Sequence, residues 1–219
     1  MKIGIIGAGF IGRTVASLAV KQDHQVMLSN SRGPETLAST VMAIGCKAGT
    51  VEEAAKFGDI VVVAIPLKNY QSVPSKPLSG KIVVDSNNYY PERDGHIPDL
   101  DSKKTTTSEL LAEHLPDSKV VKAFNAIRAV DLDQDGRPSG SPDRRALPIA
   151  GDEADAKKLV SDLLDQFGFD VVDVGVLSEG WRFERAKPAY CVPFDSTGLK
   201  QALASADPNI DMPEGSWRH

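Results

Sequence analysis

Gly7-Ala8-Gly9-Phe10-Ile11-Gly12 fits the pattern G-x-G-x-x-G, and its neighbours give the pattern its meaning. Lys2–Ile6 before it reads as a β-strand, and Ile11, Val15, Leu18 and Ala19 after it share one face of a helix. Strand, glycine turn and helix in immediate succession are the entry to a dinucleotide-binding unit. Gly7 permits the tight turn, Gly9 lets the backbone approach a pyrophosphate, and Gly12 lets the helix pack closely on the strand. The helix N-terminus then offers free N–H groups to the anion. The alternative is a glycine turn that holds no ligand.

Outward from this turn, short apolar runs recur at Gln25–Leu28, Ile60–Ile65, Ile82–Val84, Val120–Phe124, Leu147–Ala150 and Asp170–Val174. Continuous Val/Ile runs with little alternation belong to strands buried on both faces of a parallel sheet. Helical patterns lie between them: Leu37, Val41 and Ile44 share a face, as do Leu159, Val160, Leu163, Leu164 and Phe167, with Asp152 near the N-cap and Gly168 at C′. The expectation is an α/β fold of Rossmann-like, doubly wound type, a mostly parallel sheet with helices on both faces. Residues 1–190 are expected to form its dinucleotide-binding domain, and 191–219 a polar C-terminal helix near Ser196–Ser205 with a frayed tail, packed on that domain or extending from it. Tyr89 to Lys104 and Asp131 to Arg145, rich in Pro, Gly and charge, read as surface loops.

The second strand selects the dinucleotide. An NAD site usually ends this strand with a carboxylate for the ribose 2′-hydroxyl, but Gln25–Leu28 runs into Ser29-Asn30-Ser31-Arg32-Gly33-Pro34 with no acid before Glu35. Ser31 can donate a hydroxyl and Arg32 a planar cation to a 2′-phosphate, with Asn30 beside them, which suits NADP(H) better than NAD. The bland alternative is an N-cap serine and a solvated arginine. Ile65, Pro66 and Leu67 end the strongest strand at the carboxyl edge, where they can pack against ribose or nicotinamide; Pro66 can equally be a strand terminator. Asn87 and Asn125 end two further strands at that edge, each either a ligand to the ribose or carboxamide or a loop-capping amide.

The bulk properties exclude other classes. With 219 residues, 41% hydrophobic and 25% charged, the chain suits a sizeable core rather than disorder. A formal net charge of -5 argues against nucleic-acid or membrane-surface partners. The longest apolar run is far shorter than the roughly 20 residues a membrane helix needs, and the start lacks a signal-peptide pattern, so a cytoplasmic protein is expected. Cys46 and Cys191 stand far apart without metal-ligand spacing, and are expected to be buried thiols rather than a disulfide or metal site. Asp131-Leu132-Asp133-Gln134-Asp135-Gly136 starts like a calcium loop, but its twelfth position is Pro142 rather than Glu.

Three stretches together, Gly7–Gly12 with Ser31-Arg32-Gly33-Pro34, Val120 to Ile127, and Leu147-Pro148-Ile149-Ala150-Gly151-Asp152 before a helix, resemble the coenzyme F420-dependent NADP oxidoreductase family. The cytosolic reductase domains of six-transmembrane ferric reductases share the pattern, and the resemblance spans Met1 to about Tyr190. It implies that NADP binds the glycine loop, that the Ser-Arg pair clamps the 2′-phosphate, and that the nicotinamide faces a deazaflavin (F420) or flavin. Carried over, Gly9, Phe10, Ile11, Ser31, Arg32, Pro66, Leu67, Asn125 and Ile127 become the cofactor shell. Asn125 stands where the archaeal deazaflavin enzymes carry a His, and the polar C-terminus replaces their apolar dimerisation segment, leaving a homodimer open.

Hydride transfer between stacked rings depends on proximity and orientation and needs little acid or base help. The expected function is therefore an NADP(H)-dependent oxidoreductase passing hydride to or from a flavin, deazaflavin or other small-molecule acceptor, without a metal. Trp181 to Glu184 and Pro188 to Tyr190 offer a wall for that acceptor, or ordinary core packing. Were the substrate an alcohol or imine, a proton donor would come from His96, His114, Tyr89, Tyr90, Arg182 or Lys187, none marked by its neighbours, and His114 reads as structural. The alternatives are an NADPH-binding redox sensor without turnover and a small carbonyl or imine reductase.

Overall fold

The computed structural model describes residues 1–216. The last three residues of the tail read as frayed, Trp217, Arg218 and His219, lie outside the described residues. In chain order the elements are β1 (Lys2–Ile6), α1 (Phe10–Lys21), β2 (Gln25–Ser29), α2 (Ala38–Ile44), β3 (Lys47–Gly49), α3 (Val51–Phe57), β4 (Ile60–Val63) and β5 (Ile82–Asp85). There follow α4 (Pro91–Asp94), α5 (Pro98–Asp101), α6 (Thr107–His114), β6 (Lys119–Lys122), α7 (Ala129–Gln134), β7 (Ala146–Gly151), α8 (Ala154–Gln166), β8 (Asp170–Asp173) and α9 (Ser196–Ala204), with a 3-10 segment at Leu177–Phe183.

Among the described residues the strands form one sheet in the order β3-β2-β1-β4-β5-β6-β7-β8. All neighbours run parallel except β6 and β7. The chain winds outward from β1 through β2 to β3, then returns to β4 on the other side of β1, so the crevice between β1 and β4 is the switch point where such sheets bind ligands. Both faces are covered, and the period-2 geometry of the strands shows it. Ile3, Ile5, Ile60, Val62, Val84 and Val121 pack with residues of α1, α7 and α8. Their neighbours Val61, Val63, Val83 and Val120 pack with Ala55 of α3 and Leu111 of α6. Each fully buried Val or Ile contributes about 1.5–3 kcal/mol.

The structure departs from the sequence reading in several places. β3 and α3 were not anticipated; α3 starts with a capping box in which Thr50 Oγ1 accepts from Glu53 N–H and the Glu53 carboxylate accepts from Thr50 N–H. The segment expected as a loop from Asp131 begins inside α7, where Arg128 clamps Asp131. Tyr89 to Lys104 contains α4 and α5, each with Pro in its first turn. Asp152 does not cap α8: its carboxylate accepts from Leu177 N–H at 2.9 Å, and Glu153 holds the cap position. Cys191 is buried, and Cys46 is only half-buried. Beyond β8, α9 packs Leu199, Ala202 and Leu203 against Phe183 and Tyr190. Among the described residues no helix is long and apolar enough to cross a membrane.

Candidate cofactor and hydride-acceptor site

The three glycines of the loop have different physical causes. Gly7 holds φ at 114°, and a Cβ there would lie 2.1 Å from the Ala64 carbonyl oxygen on the neighbouring strand's extension. A Cβ on Gly12 would lie 1.9 Å from the Gly7 carbonyl oxygen, so α1 could not pack down on the turn. Gly9 is unlike both: its φ of -74° is open to any residue, and a Cβ would meet nothing within 4 Å. Neither backbone strain nor packing within the protein requires glycine at position 9. Gly9 is also the N-cap of α1, with no side-chain cap and no acid in the first turn, leaving the first amides of the helix for an anion.

Across the cleft, Asn30 shapes the loop that follows β2. Its Oδ1 accepts from Arg32 N–H at 3.0 Å, and its Nδ2 donates to Thr36 Oγ1 at 2.8 Å. This Asx turn leaves the Ser31 and Arg32 side chains exposed at the mouth. A cleft of about 280 Å³ gathers Gly7, Gly9, Ser31, Arg32, Ile65 and Pro66 among its walls, and Glu35 is absent from its lining. Asn69 and Ser72, on the 3-10 segment that follows Pro66, also line it.

The ends of β5 and β6 carry two amides with an open valence each. Asn87 is buried; its Oδ1 accepts from Ile65 N–H at 3.0 Å, and its Nδ2 has no partner. Asn125 is equally buried; its Nδ2 donates to Phe183 O and Asn88 Oδ1, and its Oδ1 has no partner. Buried polar atoms are rarely left unpaired, and each costs about 1–3 kcal/mol when it is.

Behind these amides lies a buried ionic network. Asp85 and Lys122 stand in register on β5 and β6. Asp85 Oδ1 accepts from Asn87 N–H and Oδ2 from Ser108 Oγ. Lys122 Nζ donates to Thr107 Oγ1 and Ser108 Oγ and lies 3.3 Å from Glu184 Oε1. Burial pushes the Asp85 carboxyl above its ordinary range, against the opposing pull of Lys122 and the bonds from Ser108 and Asn87. Glu184 reaches from this network into a second cavity of about 650 Å³, whose walls include Tyr89, Trp181 and Arg185. Tyr89 is fixed there by Asp101 at 2.8 Å and by Ile97 N–H at 3.0 Å.

Other sequence-derived candidates lie elsewhere. Phe10 is 86% exposed and lines a separate groove with Arg13 and Val130. Leu67 is fully buried beside Leu100 and Leu110. Ile127 is buried in the main core, with Ile11 packed at its edge. His114 lies 2.7 Å from the Val73 carbonyl, and Tyr90 and Tyr190 share a hydroxyl–hydroxyl bond of 2.6 Å. Arg128 and Arg145 hold Asp131, and Arg145 holds Asp135, so the carboxylates of the calcium-like stretch are already paired.

Comparison with known proteins agrees with this architecture. Residues 2–89 match the family described as NADP oxidoreductase, coenzyme F420-dependent. Over 199 residues the chain is 33% identical to Metalloreductase STEAP3 of Rattus norvegicus, covering 88% of this chain but 38% of that relative's length. A solved structure of a hypothetical protein from Sinorhizobium meliloti superposes with a TM-score of 0.77 at 30% identity, covering 90% of this chain and 96% of the other. A second, from an Arthrobacter sp. FB24 protein proposed to be an F420-dependent NADP-reductase, superposes with a TM-score of 0.70 at 27% identity, covering 80% and 85%. Fold and relatives together define a class, the NADP-dependent oxidoreductases built on a Rossmann-like sheet. Within that class the chain resembles the coenzyme F420-dependent NADP oxidoreductase family, whose model residues 2–89 match.

Proposed function

We propose that the chain moves hydride between NADP(H), held at the glycine-loop cleft, and a flavin, deazaflavin or other small planar acceptor entering at the Tyr89–Trp181 cavity. The observation that carries this reading is the mouth of the cleft, where Ser31 and Arg32 stand together without a carboxylate in the lining. A 2′-phosphate meets a hydroxyl donor and a bidentate cation there, whereas a bare 2′-hydroxyl has no carboxylate to bind. The residues also fit the rest of the dinucleotide. Gly9 leaves open space that no protein atom fills, and the first amides of α1 receive the pyrophosphate. Ile65 and Pro66 wall the crevice. The free donor of Asn87 and the free acceptor of Asn125 complement a primary carboxamide, which carries one acceptor and one donor group.

When bound, NADPH supplies the hydride. The chain binds and orients it: Asp85 fixes the Asn87 backbone, and Phe183 O and Asn88 fix the Asn125 amide. Because Asn125 is bonded to Phe183, next to Glu184, one segment supports both the proposed carboxamide position and the proposed acceptor cavity.

The test is anaerobic oxidation of NADPH and NADH, side by side, with FMN, FAD, deazaflavin and ferric chelates, by the unaltered chain and by Arg32→Ala. Arg32→Ala is expected to raise the KM for NADPH roughly 10–30-fold, the size of one charge-assisted contact, and to leave that for NADH nearly unchanged. Equal losses for the two nucleotides would remove the 2′-phosphate role.

A further inference from the structure

Two carboxyl groups and one amine meet inside the protein between the candidate nicotinamide and acceptor sites. Asp85, Lys122, Thr107 and Ser108 are each 0% exposed, and Glu184 carries the cluster into the 650 Å³ cavity. The contacts run without a break from one side to the other. Asp85 Oδ1 accepts from Asn87 N–H at 3.0 Å, and Asp85 Oδ2 lies 2.6 Å from Ser108 Oγ. Lys122 Nζ lies 3.1 Å from Ser108 Oγ and 2.6 Å from Thr107 Oγ1, which in turn lies 2.6 Å from Glu184 Oε1. Glu184 Oε1 is also 3.3 Å from Lys122 Nζ and accepts from Thr107 N–H at 3.0 Å. A Cβ on Gly180 would lie 2.8 Å from Lys122 Cδ, so the 3-10 segment closes directly over this lysine.

One ammonium does not neutralise two carboxylates, and an unbalanced charge is costly in a buried site, so the cluster retains a proton on a carboxyl. Glu184 has the Lys122 pair, the Thr107 amide and an opening to the cavity, whereas Asp85 is sealed, and burial, the largest influence on it, favours its neutral form. The other charges of the cavity wall balance in number, Asp101, Glu109, Asp211 and Glu214 against Lys103, Lys104, Arg185 and Lys187, so they add no net charge beside Glu184. The hydroxyls of Ser108 and Thr107 rotate and both donate and accept, so each contact in the series can pass a proton in either direction.

We propose that Asp85, Ser108, Lys122, Thr107 and Glu184 form a relay that carries one proton from behind the carboxamide site to the acceptor cavity as hydride crosses between them; this rests on the reading of the two sites as nicotinamide and acceptor sides. Loss of hydride leaves the nicotinamide ring with one positive charge, and gain of hydride leaves the acceptor with one negative charge. A proton moving the same way cancels both. The Asp85 O–H bond breaks as Ser108 Oγ takes the proton. Ser108 gives its own proton to Lys122 Nζ as Lys122 gives one to Glu184, across the direct contact or through Thr107 Oγ1. The new Glu184 O–H bond breaks as the reduced acceptor is protonated. Lys122 ends as the ammonium it began as, Asp85 ends as a carboxylate behind the cationic ring, and the proton returns to Asp85 from solvent through Glu184 when NADP+ leaves. Glu184 alone meets the acceptor; Asp85, Ser108, Lys122 and Thr107 are positioning residues that act through it.

The test begins with calorimetric titration of the full chain with NADP+ and with NADPH, each in buffers of different ionisation enthalpy, which counts the protons released on binding. The 2′-phosphate is common to both nucleotides, so the difference reads the ring charge. NADP+ is expected to release up to about one proton more than NADPH, and Asp85→Asn, whose amide oxygen still accepts from Asn87 N–H, to abolish the difference. Ser108→Ala keeps Asp85 and breaks the relay. In single-turnover oxidation of bound NADPH by FMN, both variants are expected to be about tenfold slower and to lose the slowing in D2O that the unaltered chain shows, with NADPH affinity changed by less than about twofold. Should Asp85→Asn fail to fold, the proton count of the unaltered chain and the rates of Ser108→Ala carry the test. Equal proton release with the two nucleotides overturns Asp85 as the store, as does a difference that persists in Asp85→Asn. Unaltered rate and D2O dependence in Ser108→Ala overturn the relay and leave the NADP reading intact. Binding of neither nucleotide overturns the NADP reading itself, and binding without oxidation by FMN, FAD, deazaflavin or ferric chelates overturns the acceptor reading.

Discussion

The two cavities of this molecule are assembled in opposite ways. The nucleotide cleft is centred on Ile6 to Gly9 from the first turn of the chain and Asn30 to Arg32 from the end of the adjacent strand, with Ala64 to Pro66, Asn69 and Ser72 closing it from beyond β4. The second cavity takes Tyr89, the start of α6, the Trp181–Lys187 region and C-terminal residues from Pro208 to Glu214, separate stretches brought together only by the finished fold. The first is a local device set on a strand-turn-helix unit. The second is a product of tertiary structure, and its charged groups reach back into a buried network. A site of the first kind fails when its backbone fails, and one of the second kind when a long-range pairing fails.

The largest expected effect tests the local device. Gly7→Ala forces a Cβ both into a positive-φ conformation and to within 2.1 Å of the Ala64 carbonyl oxygen. Backbone atoms cannot rotate out of the way, so the β1–β4 pairing beside the turn must shift. A loss of about 3 kcal/mol or more in urea unfolding is expected, together with loss of NADPH binding. A Gly7→Ala chain of unaltered stability would show that the turn is softer than its geometry implies.

The next effect tests the dispersed site. Glu184→Gln removes the carboxylate 3.3 Å from the fully buried Lys122 ammonium, leaving that charge with hydroxyl partners and the Asp85 carboxyl, which burial pushes toward its neutral form. Stranding a buried charge costs about 3 kcal/mol, whereas removing both members of a pair costs less. Lys122→Met combined with Glu184→Gln is therefore expected to be more stable than Glu184→Gln alone. The opposite order would mean that Lys122 is stabilised by Asp85 and the hydroxyls without help from Glu184.

The same contrast explains what was legible in the sequence. The glycine turn, β1, β4 and β5 could be read because each is contiguous and its apolar run is uninterrupted, and the Ser31–Arg32 pair because it follows β2 directly. β3 could not, since Lys47-Ala48-Gly49 has no apolar run and becomes a strand only by pairing with Met27, Leu28 and Ser29; the Thr50–Glu53 capping pattern beside it was a signal that went unused. Leu67 was placed at the right edge of the sheet, but the 3-10 turn after Pro66 buries its side chain with Leu100, a direction that no local pattern specifies. Nothing local marks Asp85 and Lys122, since only register on adjacent strands reveals that they are buried together. The tail's polarity suggested fraying because the lysine that holds it is 20 residues or more upstream.

The smallest effect on stability separates ligand from protein as the cause of a glycine. At Gly9 the backbone is in an ordinary extended conformation and the added methyl meets empty space, so Gly9→Ala should leave unfolding free energy within about 0.5 kcal/mol, or raise it slightly by restricting the unfolded chain. If a pyrophosphate approaches this backbone, the same methyl occupies part of its place, and NADPH affinity should fall about tenfold or more by calorimetric titration. Full stability with weakened NADPH binding would show that position 9 is glycine for the ligand alone, whereas positions 7 and 12 are glycine for the protein. Unweakened binding would move the pyrophosphate away from Gly9 and onto the first amides of α1, without disturbing the role of Arg32.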